Sequence, residues 1–197
     1  MTATAPPAEA LKKGLFCQNQ GQHERAVEWF DVCLAGDPGN MGALAGKGDS
    51  LRVLTRYAEA LPCFEQALGK NPAHAPTWLK KGLCLESLSR LEEALAAFDE
   101  AARNDPKNAA PWTSRGLALA LMHRPEEAIQ SFEKALAMDP RAPLPRFHMG
   151  EVFEQLGRAE DAAKAYQQFL GVASPAVLGA QTQRARKRLT ELRGGAS

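Results

Sequence analysis

Five glycines, Gly14, Gly48, Gly82, Gly116 and Gly150, stand 34 residues apart. A fixed internal period restricts a chain to folds built from one repeated supersecondary unit. Three further columns keep the same interval. Ala26, Ala60, Ala94, Ala128 and Ala162 form the second. Phe30, Phe64, Phe98, Phe132 and Tyr166 form the third. The fourth is Pro38, Pro72, Pro106 and Pro140, with Pro175 one residue late. Each column has a physical reading. Gly and Ala are small residues where two helices cross closely, and Gly within a helix costs about 1 kcal/mol that tight packing must offset. The aromatic fills the space between neighbouring repeats. The Pro follows Asp37, Asn71, Asp105 or Asp139 and ends the second helix, because the residue before Pro avoids helical angles. A short turn separates the two helices. It begins at Gly21, Thr55, Ser89, His123 and Gly157. That column calls for left-handed angles, which His tolerates better than most residues. Pro125 suits the first turn of a helix.

The unit running from Ala75, Pro76, Thr77 and Trp78 through Gly82, Ala94, Phe98 and Ala101 to Asp105 and Pro106 resembles the tetratricopeptide repeat. The resemblance implies an all-α, right-handed superhelical solenoid of five helix-turn-helix repeats plus a C-terminal capping helix. The repeats are expected at about 7–40, 41–74, 75–108, 109–142 and 143–175, so that the array fills 8–175. Repeat five departs from the pattern. Arg146 replaces Trp78 and Trp112, and Phe169 stands where the others have Ala or Cys. A large residue there predicts a different neighbour, a cap over 176–193. In that segment Leu178, Ala185, Leu189 and Leu192 share one helical face, and polar caps keep solenoids soluble. Residues 1–7 and 194–197 are expected to be disordered.

The function classes narrow by what the chain carries. The formal net charge is +1, so no strong field draws nucleic acid or an acidic membrane. The basic run Arg184–Arg188 lacks interleaved aromatics for stacking on bases and reads as the wet face of the cap. No apolar run reaches the ~18–20 residues of a membrane span. The start, MTATAPPAEA, lacks the features of a secretory signal. Cys17, Cys33, Cys63 and Cys84 form no C-x-x-C pair and read as small buried hydrophobes in a reduced, cytoplasmic protein. His23, His74, His123 and His148 form no cluster with Cys, so no metal site and no cofactor are expected. His148 lies one turn before Glu151 and reads as a surface helix pair. Paired carboxylates such as Glu92-Glu93 and Glu126-Glu127 begin second helices, where they meet the positive dipole end. No nucleophile–base constellation emerges, so the chain is read as non-catalytic.

In the resembled family, first helices line the concave face. By register this implies partner-binding positions at Leu11, Leu15, Asp49, Arg52, Leu79, Leu83, Glu86, Thr113, Leu117, Leu121, Phe147 and Glu151. Leu79, Leu83, Leu117 and Leu121 are expected to form an exposed apolar stripe with Phe147 beside it, the kind of surface that marks partner sites. Some members clamp a C-terminal carboxylate with Lys, Asn, Asn, Lys and Arg. The corresponding residues here are Leu11, Leu15, Gly46, Pro76 and Lys80, and only Lys80 is similar in type, which argues against that activity. The reading that follows is a protein-interaction scaffold or adaptor whose apolar groove takes a helix or extended segment of a protein or peptide. It has no nucleic-acid partner and no direct membrane insertion. Homo-oligomeric self-assembly and a client-shielding chaperone are the alternatives.

Overall fold

The computed structural model describes residues 5–194, and among them every regular element is a helix. The helices come in pairs, as the period demands. They are α1 (Pro7–Asn19) and α2 (His23–Gly36), α3 (Met41–Val53) and α4 (Tyr57–Lys70), α5 (Ala75–Ser87) and α6 (Leu91–Asn104), α7 (Ala109–Leu121) and α8 (Pro125–Met138), α9 (Pro143–Gln155) and α10 (Ala159–Val172). A last helix, α11 (Gly179–Gly194), packs on α10. The chain divides into two compact units, Met1–Asp105 and Pro106–Ser197. Helix α1 starts at Pro7, within the stretch expected to lack order. Gly194, also expected to lack order, is the last residue of α11, and residues 1–4 and 195–197 lie outside the described residues.

Local rules place the boundaries. Thr55, Ser89 and His123 have φ of 60°, 59° and 55°, and Gly21 and Gly157 have 71° and 69°. The whole first-turn column is therefore left-handed, strained in three repeats and relaxed in two. At the other end, the pre-proline residues Asp37, Asn71, Asp105 and Asp139 leave the helix with ψ of 82°, 89°, 80° and 91°. Asn40 and Asn108 cap α3 and α7, their side-chain oxygens accepting from the backbone N–H of Ala43 and Ala110, each at 3.0 Å. Most second helices start differently. Arg56, Arg90 and Arg124 hold Glu59, Glu93 and Glu127 three residues on, and Arg158 holds Asp161.

Packing within each pair follows the small-residue columns. Phe30, Phe64, Phe98 and Phe132 are fully buried, and Tyr166 nearly so. A Cβ on Gly14 would stand 2.6 Å from the ring of Phe30, and one on Gly48 2.7 Å from that of Phe64. Phe30 also presses on Gly46 of the following repeat, where a Cβ would meet it at 2.5 Å. That ring fills space both within its own pair and toward the next. In repeat five Arg146 takes over the hydrogen bond of the missing tryptophan. Its Nη2 donates to the carbonyl of Pro140 at 2.7 Å, as the Trp78 indole N–H donates to that of Pro72 at 2.7 Å.

Candidate functional site

The first helices of the two units carry different surfaces. In unit 1, Asp49 on α3 is the hub of a polar patch. It accepts from Arg52 Nε at 3.0 Å and Nη2 at 2.8 Å, and from Lys80 Nζ on α5 at 2.7 Å. Burial pushes the Asp49 carboxyl up, but the hydrogen bonds and charges of Lys80 and Arg52 outweigh it and hold the group below the usual carboxylate range. A concavity of about 400 Å³ opens beside it, lined by Leu15, Gln18, Asn19, His23 and Ala45 together with Asp49 and Lys80. Gln18 Nε2 donates to the Gly46 carbonyl at 3.3 Å. Of the expected positions here, Leu15 is exposed, whereas Leu11, Leu79, Leu83 and Glu86 are half-buried. Leu11 leans on the core cluster formed by Ala10, Phe30 and Ala43.

Unit 2 carries an apolar concavity of about 760 Å³ between the N-terminal halves of α7 and α9. Thr113 and Leu117 form one wall and Leu144 and Pro145 another. Val177 and Leu178, from the connection into α11, close one side, and Lys107 and Asp139 stand at the rim. Leu121, one turn beyond Leu117, is 59% exposed, and Val177 is 79% exposed. Thr113 and Leu117, both half-buried, border this open space. Leu144 also falls on the first-helix face of repeat five, whereas Val177 and Leu178 were missed as lining residues. The last two come from an irregular segment that carries no helical register, so only the chain's path brings them there.

One expected position in unit 2 is corrected, and another already has partners within the chain. Phe147 is only 3% exposed and lines no open surface. Its ring packs against Phe169 at 5.2 Å and Tyr166 at 5.9 Å, and Arg184 lies over it at 5.8 Å. The large residue at Phe169 requires an apolar neighbour, and Phe147 is drawn inward to supply it. Glu151 is already engaged. It meets Arg184 of α11 at 2.9 Å and His148 Nδ1 at 2.8 Å. Its neighbour Glu154 accepts from Arg188 Nε at 2.8 Å. Burial raises the Glu154 carboxyl, but hydrogen bonds from Arg188 and Tyr166 hold it below the ordinary range. Burial and the bond to Glu154 push the Tyr166 phenol well up. Within the basic run Arg184 and Arg188 reach α9 carboxylates, Arg184 while still largely exposed, and Arg186 and Lys187 are exposed without reaching α9.

The four cysteines are free and buried. Burial pushes the thiols of Cys33, Cys63 and Cys84 up, Cys84 to about 11, the opposite of what a nucleophile needs. Among the described residues no group of three or more His, Cys, Asp or Glu side chains could hold a metal ion. No described helix is long and apolar enough to cross a membrane. What the two surfaces offer is hydrogen bonding, charge and apolar contact.

Paired helices with small-residue crossings, left-handed turns and open first-helix faces define a helical-repeat protein of the kind that presents surfaces to other molecules. The tetratricopeptide repeat profile matches residues 46–109 and 113–176, and the chain belongs to that family. A search of curated proteins returned no significant match. Solved structures share the fold. A thermophilic tetratricopeptide repeat protein of Thermus thermophilus, TTC0263, is 24% identical with a TM-score of 0.72 over 93% of this chain and 99% of its own. MamA from Desulfovibrio magneticus is 23% identical with a TM-score of 0.74, covering 86% and 95%. Pseudomonas aeruginosa pilF is 21% identical with a TM-score of 0.75, covering 94% and 88%.

Proposed function

We propose that this chain is a non-catalytic adaptor that captures a helix or extended segment of a partner protein, with the apolar concavity of unit 2 as the main seat. The observation that carries the reading is the open wall of Thr113, Leu117 and Leu144, continued by the exposed Leu121. Apolar surface of this kind on a soluble protein marks a partner site, and helix-in-groove or strand-like docking are the modes it suits. The Asp49, Arg52 and Lys80 patch offers unit 1 a polar counterpart, with Leu15 beside it and Leu79, Leu83 and Glu86 further positions proposed on α5. Membership of the family supports protein over nucleic acid as partner. So does the engagement of Arg184 and Arg188 by α9 carboxylates, which leaves Arg186 and Lys187 as a thin basic surface. Four reduced, buried thiols fit a cytoplasmic setting.

The test is affinity capture from native cells with the wild-type chain, the single variants Leu83→Glu and Leu117→Glu, and the double variant, with helicity followed by circular dichroism. The partner recovered by the wild type is expected to be lost with Leu117→Glu at unchanged helicity. Equal recovery by the double variant removes the first-helix surfaces from consideration.

A self-assembling form has one observation in its favour. Phe16 is 64% exposed, whereas its 34-residue equivalents Ser50, Cys84, Ala118 and Val152 are all buried. A large apolar residue in a column made for burial suits contact with a second copy. Light scattering of the wild type and Phe16→Asp separates the readings. A wild-type monomer at high concentration sinks self-assembly, and a dimer lost on substitution supports it.

A further inference from the structure

Helix α11 is an unusually polar occupant of an aromatic seat. Only Thr182 and Ala185 of its residues are buried. The Phe147 ring, over which Arg184 lies, forms part of the floor with Phe169. What matches α11 to this seat is charge in register. Glu151 and Glu154 lie about one turn apart on α9, and Arg184 and Arg188 lie one turn apart on α11. The pairs meet at 2.9 Å for Arg184–Glu151 and 2.8 Å for Arg188 Nε–Glu154. Farther along, Arg193 Nη2 donates to Gln167 of α10 at 3.1 Å. The fit is incomplete at one point. Thr182 Oγ1 is buried and has no hydrogen-bond partner. A buried hydroxyl left unpaired opposes the seating of the helix that carries it. Ion pairs with one partly exposed member are weak and screened by salt.

We infer that the α9/α10 face beneath α11 is a receptor for a partner-protein helix carrying two arginines one turn apart, and that α11 is its removable resident. The α7/α9 concavity meets only the connection before α11, through Val177 and Leu178, so a peptide that lacks those two residues tests this inference separately from the adaptor reading. The floor supplies aromatic area to any helix with a small residue between its arginines, as Ala185 provides here. The two carboxylates set register, since both must be met together. A competitor that also satisfies the hydroxyl position, or lacks one there, replaces α11 without its unpaired group.

The experiment uses the full chain and a fluorescent peptide with the sequence of α11 alone, residues 179–194, read by anisotropy at about 0.1 M and about 1 M salt. Two variants are compared. Arg184→Glu with Arg188→Glu loosens the resident helix and leaves the receptor intact. Glu151→Lys with Glu154→Lys reverses the receptor. At the lower salt the peptide is expected to bind the first variant roughly tenfold more tightly than the wild type, whose own α11 competes, and to lose that binding at the higher salt. The second variant is expected to bind it no better than the wild type, and to bind a peptide with both arginines changed to glutamate. Should the reversed receptor lose helicity, Glu151→Gln with Glu154→Gln takes its place. Equal, salt-insensitive binding to both variants, or no binding to the first, overturns the inference and leaves α11 a permanent cap.

Discussion

At the scale of single residues, the columns act through steric limits that a one-atom change exposes. Gly48 faces Phe64 so closely that an added Cβ would stand 2.7 Å from Cε1 and 2.9 Å from Cδ1. Alanine gains about 1 kcal/mol in helix propensity, but overpacking of this kind costs about 1–3 kcal/mol. Gly48→Ala is therefore expected to lower the stability measured by urea unfolding, although the same change is stabilising on an open helix. The opposite holds in the turn column. Thr55 is β-branched with φ of 60°, a left-handed conformation that costs about 1–2 kcal/mol, and its equivalents Gly21 and Gly157 avoid that cost. Thr55→Gly is expected to stabilise by about 0.5–1 kcal/mol, after the entropy of glycine is subtracted. A drop in the urea midpoint would show that the threonine side chain holds the turn by contacts that outweigh its strain. Both positions were readable in advance, because a repeat compares a residue with its own equivalents.

At the scale of elements, ion pairs decide how neighbouring first helices are tied. Asp49 joins α3 to α5 through Lys80, and it also holds Arg52 within α3. Its folded-state pKa lies below the unfolded value, because Lys80 and Arg52 outweigh burial. A group depressed in this way contributes stability above its unfolded pKa of about 3.9 and loses it as pH falls through the folded value. Asp49→Asn is therefore expected to be less stable than the wild type at neutral pH, with the gap closing under acid, below about pH 4. A gap that stays constant from neutral to acid pH would show that the carboxylate charge contributes nothing. Spacing alone could bring Asp49 and Arg52 onto one helix turn. The Lys80 partner was not legible, since it depends on how α5 lies against α3. The same limit hid the engagement of Glu151 by Arg184. Register gave the helix face of Glu151, and only the return of α11 determined what that face meets.

At the scale of the whole chain, all four thiols fall in Met1–Asp105 and none in Pro106–Ser197. A thiol reagent therefore reports the opening of one unit only. Cys84, raised to about 11, is nearly all protonated at pH 8 while folded. Labelling is expected to follow global or sub-global opening of the first unit, and to accelerate sharply through its denaturant transition. Fast labelling under native conditions would place a cysteine at the surface. The period determined the rest of what could be read without coordinates. It set the all-α class, the pairing of helices, the left-handed turns, the small-residue crossings and a large-residue end to the array at Phe169. These depend on local backbone sterics and on contacts between residues at fixed separation, which a repeated sequence states many times over. Tertiary structure alone decided which lining residues stay open. Leu15, Leu83 and Leu117 stand at equivalent register, yet Leu15 is exposed and the other two are half-buried, because exposure depends on what the next element covers. Phe147 turned inward for the same reason. Its fate was set by Phe169 and α11, neighbours brought there by packing and not by spacing.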